Sequence, residues 1–316
     1  FLNDMKEKGV RLKSLLKGLT RLQRIIAATC LISGTVTYLI LLASAYAGRV
    51  MSKSSSANAV PDYIRYQAMG YTGDTVTTKR RLLLSINEDG ALCRSMLCSF
   101  DLDLNTLDVL ELPPMTLMEG EGYTARLEEC YGSDAYSKVL ENAAGLRLDG
   151  VMDMDTRAFS RIVSALGGLP IVLDGEVEID GITLSPGKRL LAGSTASLIA
   201  GDRLAYTSGE EERAGLFSRL FESLAKTLSS RGALVWFSQL MDIIVNQCST
   251  DMTVSQLLEL VELSDSIKPE DISIHLLPGQ NEDGRYIADK EKTAELLNIS
   301  FRTKGEELPE SELGFG

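Results

Sequence analysis

The sequence predicts an α/β domain of layered sheet and helices, preceded by one transmembrane helix. From about residue 79, apolar runs typical of buried strands alternate with patterns in which apolar residues recur every three or four positions, as in amphipathic helices. Residues 25–48 contain no charged residue, and about 20 such residues are enough to cross the hydrocarbon core of a membrane. A secretory signal peptide is the alternative, but its apolar region is typically only about 7–15 residues long.

The charges on either side of the apolar run predict how the transmembrane helix is oriented. Residues 1–49 hold eight basic and two acidic residues, and seven of the basic residues precede the apolar run. By the positive-inside rule, residues 1–24 form a basic cytoplasmic segment, 25–48 span the cell membrane once, and 49–75 form a linker outside it. The segment before the membrane has a rough apolar stripe, which fits either a helix on the anionic inner leaflet or a solvated helix.

The remainder of the chain is acidic, which excludes some functions. After residue 49 there are 24 basic residues against 42 acidic ones, and this balance argues against a nucleic-acid partner. The single histidine, His275, cannot supply a His-dependent triad or a multi-His zinc site. Four cysteines lie outside the apolar run, and their spacing favours none of the three possible pairings over free thiols.

The first strands of the domain are read from three apolar runs. "RLLLSI" and "CRSMLCSF" predict buried strands, and "LDVLELP" predicts a strand that pairs back on the second across the polar turn "DLDLNT". Asp101, Asp103 and Asn105 have the spacing that opens a calcium loop, but Thr106 and Leu112 stand where that loop needs Gly and Glu. A hairpin turn is therefore the better interpretation.

Helices follow at regular intervals. Ser133 is a candidate cap for a helix that ends at Gly145, and "DGVMDMD" predicts a strand before a helix that stops at Gly167. A long helix is expected at about 213–228, with Leu216, Phe217, Leu220, Phe221 and Leu224 on one face. Two more helices, near 232–247 and 253–264, precede the strand "DISIHLLPG". The acidic tail at 303–316 predicts disorder.

An ordered series of motifs resembles the LytR–CpsA–Psr (LCP) family of bacterial cell-envelope proteins. "DGVMDMDTRAFSRIVSALGGLPIVL" and "ITLSPGKRLLAGSTASLIAGDR" follow that family's strand, its helix ending in "ALGG", and its spaced Leu and Gly residues. "SFDLDLNTLDVLELPPMT" has the length of the strand–turn–strand that leads to the family's "IPRDT", and "LLPGQNEDGRYIADKEKTAELL" is similar to its closing segment. The resemblance implies one LCP-like α-β-α layered domain with a central mixed sheet at 76–302.

The resemblance also implies an activity. Family members transfer glycopolymers from a polyprenyl-pyrophosphate carrier to peptidoglycan, holding the pyrophosphate with arginines and a Mg²⁺ ion bound by aspartates, with the lipid in an apolar tunnel. Two phosphates call for arginine forks and a divalent cation. Arg203 and Arg213 match two of the family's arginines, and Arg94 is a nearby candidate for the same role. A solvated surface arginine is the alternative for each.

Six positions depart from the family pattern in the groups that would meet negative charge. Gly201 replaces an arginine and Phe217 a glutamine; Pro114 and Met115 replace the Arg-Asp pair; the metal-binding aspartates fall near Asn87 and Cys93. Mg²⁺ prefers anionic oxygen ligands, so these changes predict poor metal binding and leave no residue assigned as catalytic or as a metal ligand.

We therefore expect a degenerate LCP protein, anchored in the cell membrane, that binds polyprenyl-linked glycopolymers and acts in cell-wall assembly with weakened or lost phosphotransferase activity. The alternative is an active phosphotransferase that attaches glycopolymers to peptidoglycan with Arg203, Arg213 and unorthodox partners. A third interpretation is an envelope domain of this fold that binds no lipid.

Overall fold

The computed structural model describes residues 78–120, 122–207, 213, 215–230 and 233–316. These residues belong to one compact unit within Pro61–Gly316. The predicted basic segment, transmembrane helix and linker lie outside the described residues, so they remain predictions. Within the part that is described, no helix is both long enough and apolar enough to cross a membrane.

Fourteen strands and eight α-helices make up the described part. The strands are β1 Lys79–Glu88, β2 Ala91–Asp101, β3 Thr106–Leu112, β4 Leu117–Gly120, β5 Tyr123–Arg126, β6 Gly150–Asp155, β7 Leu169–Leu173, β8 Val177–Ile179, β9 Ile182–Leu184, β10 Gly187–Leu191, β11 Cys248–Thr250, β12 Ile272–Leu276, β13 Gly279–Glu282 and β14 Arg285–Ala288. The helices are α1 Leu127–Cys130, α2 Tyr136–Ala144, α3 Thr156–Ala165, α4 Gly193–Gly201, α5 Leu216–Ser230, α6 Ala233–Gln247, α7 Val254–Ser266 and α8 Lys290–Leu296. A 3₁₀ turn at Arg203–Tyr206 follows α4.

Six of the strands form the central sheet, in the order β11-β6-β1-β2-β3-β12. β1 and β6 run parallel, as do β3 and β12, whereas β1–β2, β2–β3 and β6–β11 are antiparallel. The predicted mixed sheet is therefore confirmed. The predicted return of the third strand onto the second is also confirmed, with Cys98 opposite Val109.

The turn between β2 and β3 is a hairpin turn. The Oδ1 atom of Asp101 accepts hydrogen bonds from the backbone N–H groups of Asp103 and Leu104, each at 3.0 Å. Asn105 has a φ of 53°, a left-handed conformation that Asn adopts more readily than most residues. The polar residues of "DLDLNT" thus close a turn locally, as the sequence predicts.

Each face of the sheet is covered by its own layer. Side chains that alternate along a strand point to opposite faces, so Leu82 and Val109 pack on one face and Leu83 and Leu110 on the other. Helices α3 to α7 contribute to the first apolar layer, and α2, α8 and the C-terminal segment contribute to the second. The arrangement is the α-β-α layering that the resemblance implies.

The helix faces predicted from periodicity are the buried ones. In α5, residues Leu216, Phe217, Leu220, Phe221 and Leu224 are all buried. Helix α3 begins after Asp155, whose Oδ1 accepts a hydrogen bond of 2.6 Å from the N–H of Ala158. Apolar spacing of three and four residues therefore identified the faces that pack on the sheet.

Two helix starts differ from the prediction. Helix α2 begins at Tyr136, after Ala135, and not after Ser133, whose hydroxyl donates to the carbonyl oxygen of Cys130 at 2.5 Å. Helix α5 begins at Leu216, after Arg213. The predicted helix end at Gly145 is confirmed, with a φ of 58°.

The structure also differs from the expected disorder at 303–316. Leu313 and Phe315 are buried in the second apolar layer, and the N–H of Gly316 donates to the carbonyl oxygen of Leu117 at 2.9 Å. Backbone hydrogen bonds join the segment to β4 and α2: the N–H of Glu119 donates to the carbonyl oxygen of Gly314, and the N–H of Gly314 donates to that of Ala143. Cys93, Cys98 and Cys130 are free thiols.

Candidate functional site

The three candidate arginines lie near one end of the central sheet, where β2 begins and β3 ends. Arg94 projects from β2 and is fully buried. Its Nη2 atom donates to the carbonyl oxygens of Ile199 and Asp202, at 2.9 and 2.8 Å. These carbonyls end helix α4, where unpaired acceptors and the negative end of the helix dipole favour a cation. Arg94 therefore holds the C-terminus of α4 against the sheet.

Glu111 on β3 is the counter-ion of Arg94. Both side chains are only 1% exposed, and Arg94 Nη1 lies 3.9 Å from Glu111 Oε1. The Tyr206 hydroxyl donates to the same Oε1 atom, and the Ser218 hydroxyl donates to Oε2 at 2.5 Å. A buried carboxylate is tolerated when it is paired and hydrogen-bonded in this way.

Aromatic rings complete the surroundings of Arg94. The guanidinium carbon lies 4.9 Å from the ring centroid of Tyr206 and 4.8 Å from that of Phe217, within the range of cation–π attraction. Burial raises the pKa of Tyr206 well above its ordinary value. The charge of Arg94 acts to lower this pKa and the charge of Glu111 acts to raise it, so Tyr206 stays a neutral hydrogen-bond donor. Among the described residues, Arg94 Nε and Nη1 have no hydrogen-bond partner.

Arg213 is bound to Asp202 by two parallel hydrogen bonds. Nε lies 2.7 Å from Oδ2 and Nη2 lies 2.8 Å from Oδ1. Asp202 also accepts from the N–H of Leu204 at 3.1 Å and so caps the 3₁₀ turn. The arrangement fixes the guanidinium and places a full negative charge beside it.

Arg203 is the most exposed of the three, with 48% of its side chain accessible. It donates to Oε2 of Glu128, whose Oε1 lies 2.9 Å from Nη1 of Arg126. Arg126 also pairs with Glu129, so two arginines and two carboxylates balance in this surface cluster. By its exposure, Arg203 is the candidate arginine with the best access to a ligand.

The resemblance places the family's metal ligands near Asn87 and Cys93, and Asn87 already has partners within the protein. Asn87 Nδ2 donates to Asp153 Oδ2 and to the carbonyl oxygen of Met154, each at 3.1 Å, and the Tyr131 hydroxyl donates to Asp153 Oδ1 at 2.7 Å. Burial raises the pKa of Asp153 although these hydrogen bonds oppose it. Burial, reinforced by Glu88, also raises the pKa of the Cys93 thiol.

An amide and a protonated thiol do not fit a Mg²⁺ ion, which prefers carboxylate oxygens. Among the residues described, no group of three or more His, Cys, Asp or Glu side chains is arranged to hold a metal. We therefore assign no Mg²⁺ ligand at Asn87 or Cys93.

The remaining substituted positions support the backbone or the core. The carbonyl oxygen of Pro114 accepts from the N–H of Glu128 at 2.8 Å, and that of Met115 accepts from the N–H of Tyr286 at 3.0 Å. Phe217 packs between Phe159 and Phe221, with centroid distances of 6.2 and 6.1 Å.

Gly201 sits against a carboxylate. A Cβ atom built there would lie 3.3 Å from Oε2 of Glu88, so a larger side chain at this position would meet negative charge at once. The family's arginine would fit this environment by charge, but the glycine offers no group of its own.

Sequence reasoning missed the acidic partners. Glu111, Asp202 and Glu128 were not among the predicted site residues, and neither were the hydroxyls of Tyr206 and Ser218. One signal was available for Glu111, which is the only charged residue between Val109 and Leu112 in a buried strand. Charge in such a run indicates a partner inside the protein.

The fold is shared with solved structures of bacterial proteins, all at low identity. Bacillus subtilis TagV has a TM-score of 0.59 at 14% identity, covering 76% of this chain and 98% of TagV. A LytR-Csp2A-Psr enzyme from Actinomyces oris has a TM-score of 0.60 at 17% identity, covering 73% and 93%. At these identities the likeness establishes the fold alone.

The chain belongs to the LytR_cpsA_psr family, whose model matches residues 119–302. The resemblance seen in the sequence is thereby confirmed. A curated relative, the polyisoprenyl-teichoic acid–peptidoglycan teichoic acid transferase TagU of Bacillus anthracis, is 24% identical over 192 residues. That match covers 58% of this chain and 61% of TagU, so less than two thirds of the relative is represented.

Proposed function

We propose that this protein is a membrane-anchored LCP protein of cell-wall assembly that binds polyprenyl-(pyro)phosphate-linked glycans and has weakened or lost phosphotransferase activity. The family membership supports a role in the cell envelope. The name of the TagU relative, a transferase acting between polyisoprenyl-linked teichoic acid and peptidoglycan, supports a lipid-linked glycopolymer and peptidoglycan as partners.

One observation supports the proposal of weakened phosphotransferase activity: each candidate arginine forms an ion pair with a carboxylate of the protein itself. Arg94 pairs with Glu111, Arg203 with Glu128 and Arg213 with Asp202. A pyrophosphate would have to compete with these internal anions. Transfer needs groups that meet charge developing in the transition state, and removal of one such group typically costs about 10²–10³ in rate.

The alternative function is an active phosphotransferase. Its support is the exposure of Arg203, whose side chain is 48% accessible although it pairs with Glu128. In that case Arg203 and Arg213 would bind the pyrophosphate, and the metal, if one takes part, would use ligands other than Asn87 and Cys93.

The test is binding of a polyprenyl pyrophosphate by the full chain in detergent micelles, with Mg²⁺ and with a chelator. We expect binding that is insensitive to the metal and weakened in an Arg203→Ala/Arg213→Ala variant. The matched control is Arg157→Ala/Arg189→Ala, because both of these arginines are exposed and neither interacts with the three candidates.

The outcomes separate the proposals. Metal-independent binding with no detectable transfer to peptidoglycan fragments supports the proposed function. Transfer that requires Mg²⁺ and both arginines supports the active enzyme. Failure of the wild-type chain to bind the lipid rejects both and supports an envelope domain without a lipid ligand.

A further inference from the structure

The surroundings of the Glu111 carboxylate are those of a bound anion. Three side chains from three different elements converge on it. The Tyr206 hydroxyl from the 3₁₀ turn and the Ser218 hydroxyl from α5 donate hydrogen bonds, and Nη1 of Arg94 from β2 lies 3.9 Å away as the counter-ion. Phosphate sites in proteins use the same donor types, an arginine with hydroxyl groups near the start of a helix. Here the anion is a side chain of the protein.

Helix α5 adds to this environment. Ser218 is the third residue of a 15-residue helix, at the end where the helix dipole is positive. Arg94 is wholly buried, and two of its nitrogen atoms, Nε and Nη1, have no hydrogen-bond partner among the described residues. The cluster therefore retains donor capacity that the single carboxylate does not use.

We propose that Glu111 occupies an oxyanion site formed by Arg94, Tyr206 and Ser218, and that its carboxylate is the group that excludes phosphate from this site. Glu111 is thus a specificity-determining residue. The inference rests on the proposed function only in naming phosphate as the excluded ligand class.

The geometry explains why exclusion is effective. Glu111 is on the same sheet face as Arg94, on a neighbouring strand, and Met96 is its direct partner in the register. The carboxylate is covalently held at the site, so a dissolved anion competes against a very high effective concentration. It would also bring further negative charge beside a buried carboxylate, which is strongly unfavourable at low dielectric.

The experiment measures binding of inorganic pyrophosphate to the full chain by isothermal titration calorimetry. The Glu111→Ala variant removes the carboxylate and opens space, Glu111→Gln removes the charge but keeps the volume, and Glu111→Asp keeps the charge. We expect Glu111→Ala to bind pyrophosphate at least about tenfold more tightly than the wild type, since one or more charge-assisted hydrogen bonds become available. Glu111→Asp should resemble the wild type.

A second substitution assigns the gain to the site. In Glu111→Ala/Arg94→Gln the gained affinity should disappear, because the buried guanidinium is the main charge that attracts the anion. A gain that persists without Arg94, or equal affinity of the wild-type, Ala and Asp proteins, overturns the proposal. If circular dichroism shows that Glu111→Ala does not fold, Glu111→Gln decides: tighter binding supports the proposal and wild-type affinity overturns it.

The result is independent of the test of the proposed function. Inorganic pyrophosphate has no lipid and no glycan, so a failure of the wild-type chain to bind polyprenyl pyrophosphate would reject the proposed function and leave the exclusion by Glu111 unaffected. Conversely, a Glu111→Ala variant without gain would reject the exclusion while lipid binding by the wild type could still be observed.

Discussion

Arg213 and Asp202 form a two-point ion pair, with Nε–Oδ2 and Nη2–Oδ1 distances of 2.7 and 2.8 Å. The side chains are only 15% and 6% exposed, so the pair is shielded from water on most sides. Because Asp202 also caps the 3₁₀ turn that carries Arg203, this one carboxylate connects two of the candidate arginines. The pair is a structural feature of the site whatever ligand the site binds.

The coupling within this pair should be measurable. In a double-mutant cycle with Asp202→Asn and Arg213→Gln, we expect a coupling free energy of about 1–3 kcal/mol, because both hydrogen bonds are charge-assisted and largely buried. Urea unfolding followed by circular dichroism gives the four free energies.

The Arg157–Asp155 pair provides the control cycle. Its side chains are 80% and 34% exposed, and a single contact of 3.2 Å joins them. Solvent screening should limit its coupling to under about 1 kcal/mol. Equal coupling in the two cycles would contradict the argument that burial strengthens the Arg213–Asp202 pair.

Removing the charge of Glu128 should release Arg203. We expect Glu128→Gln to change the free energy of unfolding by less than about 1 kcal/mol, since Arg203 is half exposed, and to tighten the binding of inorganic pyrophosphate at low salt. Titration calorimetry at two salt concentrations measures the effect.

Glu129→Gln is the matched control for Glu128→Gln. Oε1 of Glu129 lies 3.0 Å from Nη2 of Arg126, and Glu129 does not contact Arg203. The Glu129→Gln substitution therefore removes the same charge one residue away. If both variants tighten pyrophosphate binding equally, the gain reflects net charge alone and the assignment to Arg203 fails.

The C-terminal segment should contribute to stability although its composition predicts disorder. Phe315 is 1% exposed and packs with Met118 and Leu313 in the second apolar layer. We expect Phe315→Ala to cost about 3–5 kcal/mol of unfolding free energy, as for other buried phenylalanines.

Ile299 is a suitable reference, because it is near the same segment in sequence but 70% exposed. Ile299→Ala should change the unfolding free energy by no more than about 0.5 kcal/mol. A Phe315→Ala protein as stable as the wild type would mean that the segment is not docked in solution.

Glu306 predicts a specific dependence of stability on pH. Burial alone would raise its pKa, but the hydrogen bond from the N–H of Thr303 and the Arg81 guanidinium outweigh burial and lower the pKa below its ordinary value of 4.5. Because the pKa of Glu306 is lower in the folded than in the unfolded protein, its ionised carboxylate stabilises the fold at pH values above the unfolded-state pKa. This contribution is lost as the pH falls through the folded-state pKa.

We therefore expect Glu306→Gln to be less stable than the wild type by a constant amount above roughly pH 5.5, with the difference shrinking as the pH falls below 4.5. Urea unfolding across this range measures it. A difference that grows on acidification would contradict the sign of the effect.

The sequence predicted those parts of the fold that local periodicity determines. The apolar runs "RLLLSI" and "LDVLEL" predicted the buried strands β1 and β3, and the spacing from Leu216 to Leu224 predicted the buried face of α5. The end of α2 was predictable because Gly145 adopts a left-handed conformation that glycine favours.

The acidic partners of the arginines were not predictable in the same way. Arg203 and Glu128 are 75 positions apart in sequence, and Ser218 and Glu111 are 107 apart. No local pattern relates such residues, because the tertiary fold alone brings them together. The docked tail was missed for a similar reason: composition averages over 303–316 and hides the two side chains that pack.

The pairing of β12 with β3 has a consequence for how the protein is made. β12 begins at Ile272 and lies parallel to β3, whose first residue is Thr106, so this edge of the sheet can close only after most of the domain has been synthesised. Contacts between residues so distant in sequence form slowly, and the partly made sheet exposes the open edge of β3 meanwhile. A nascent chain stalled before residue 272 should therefore be the form most exposed to aggregation and most dependent on a chaperone.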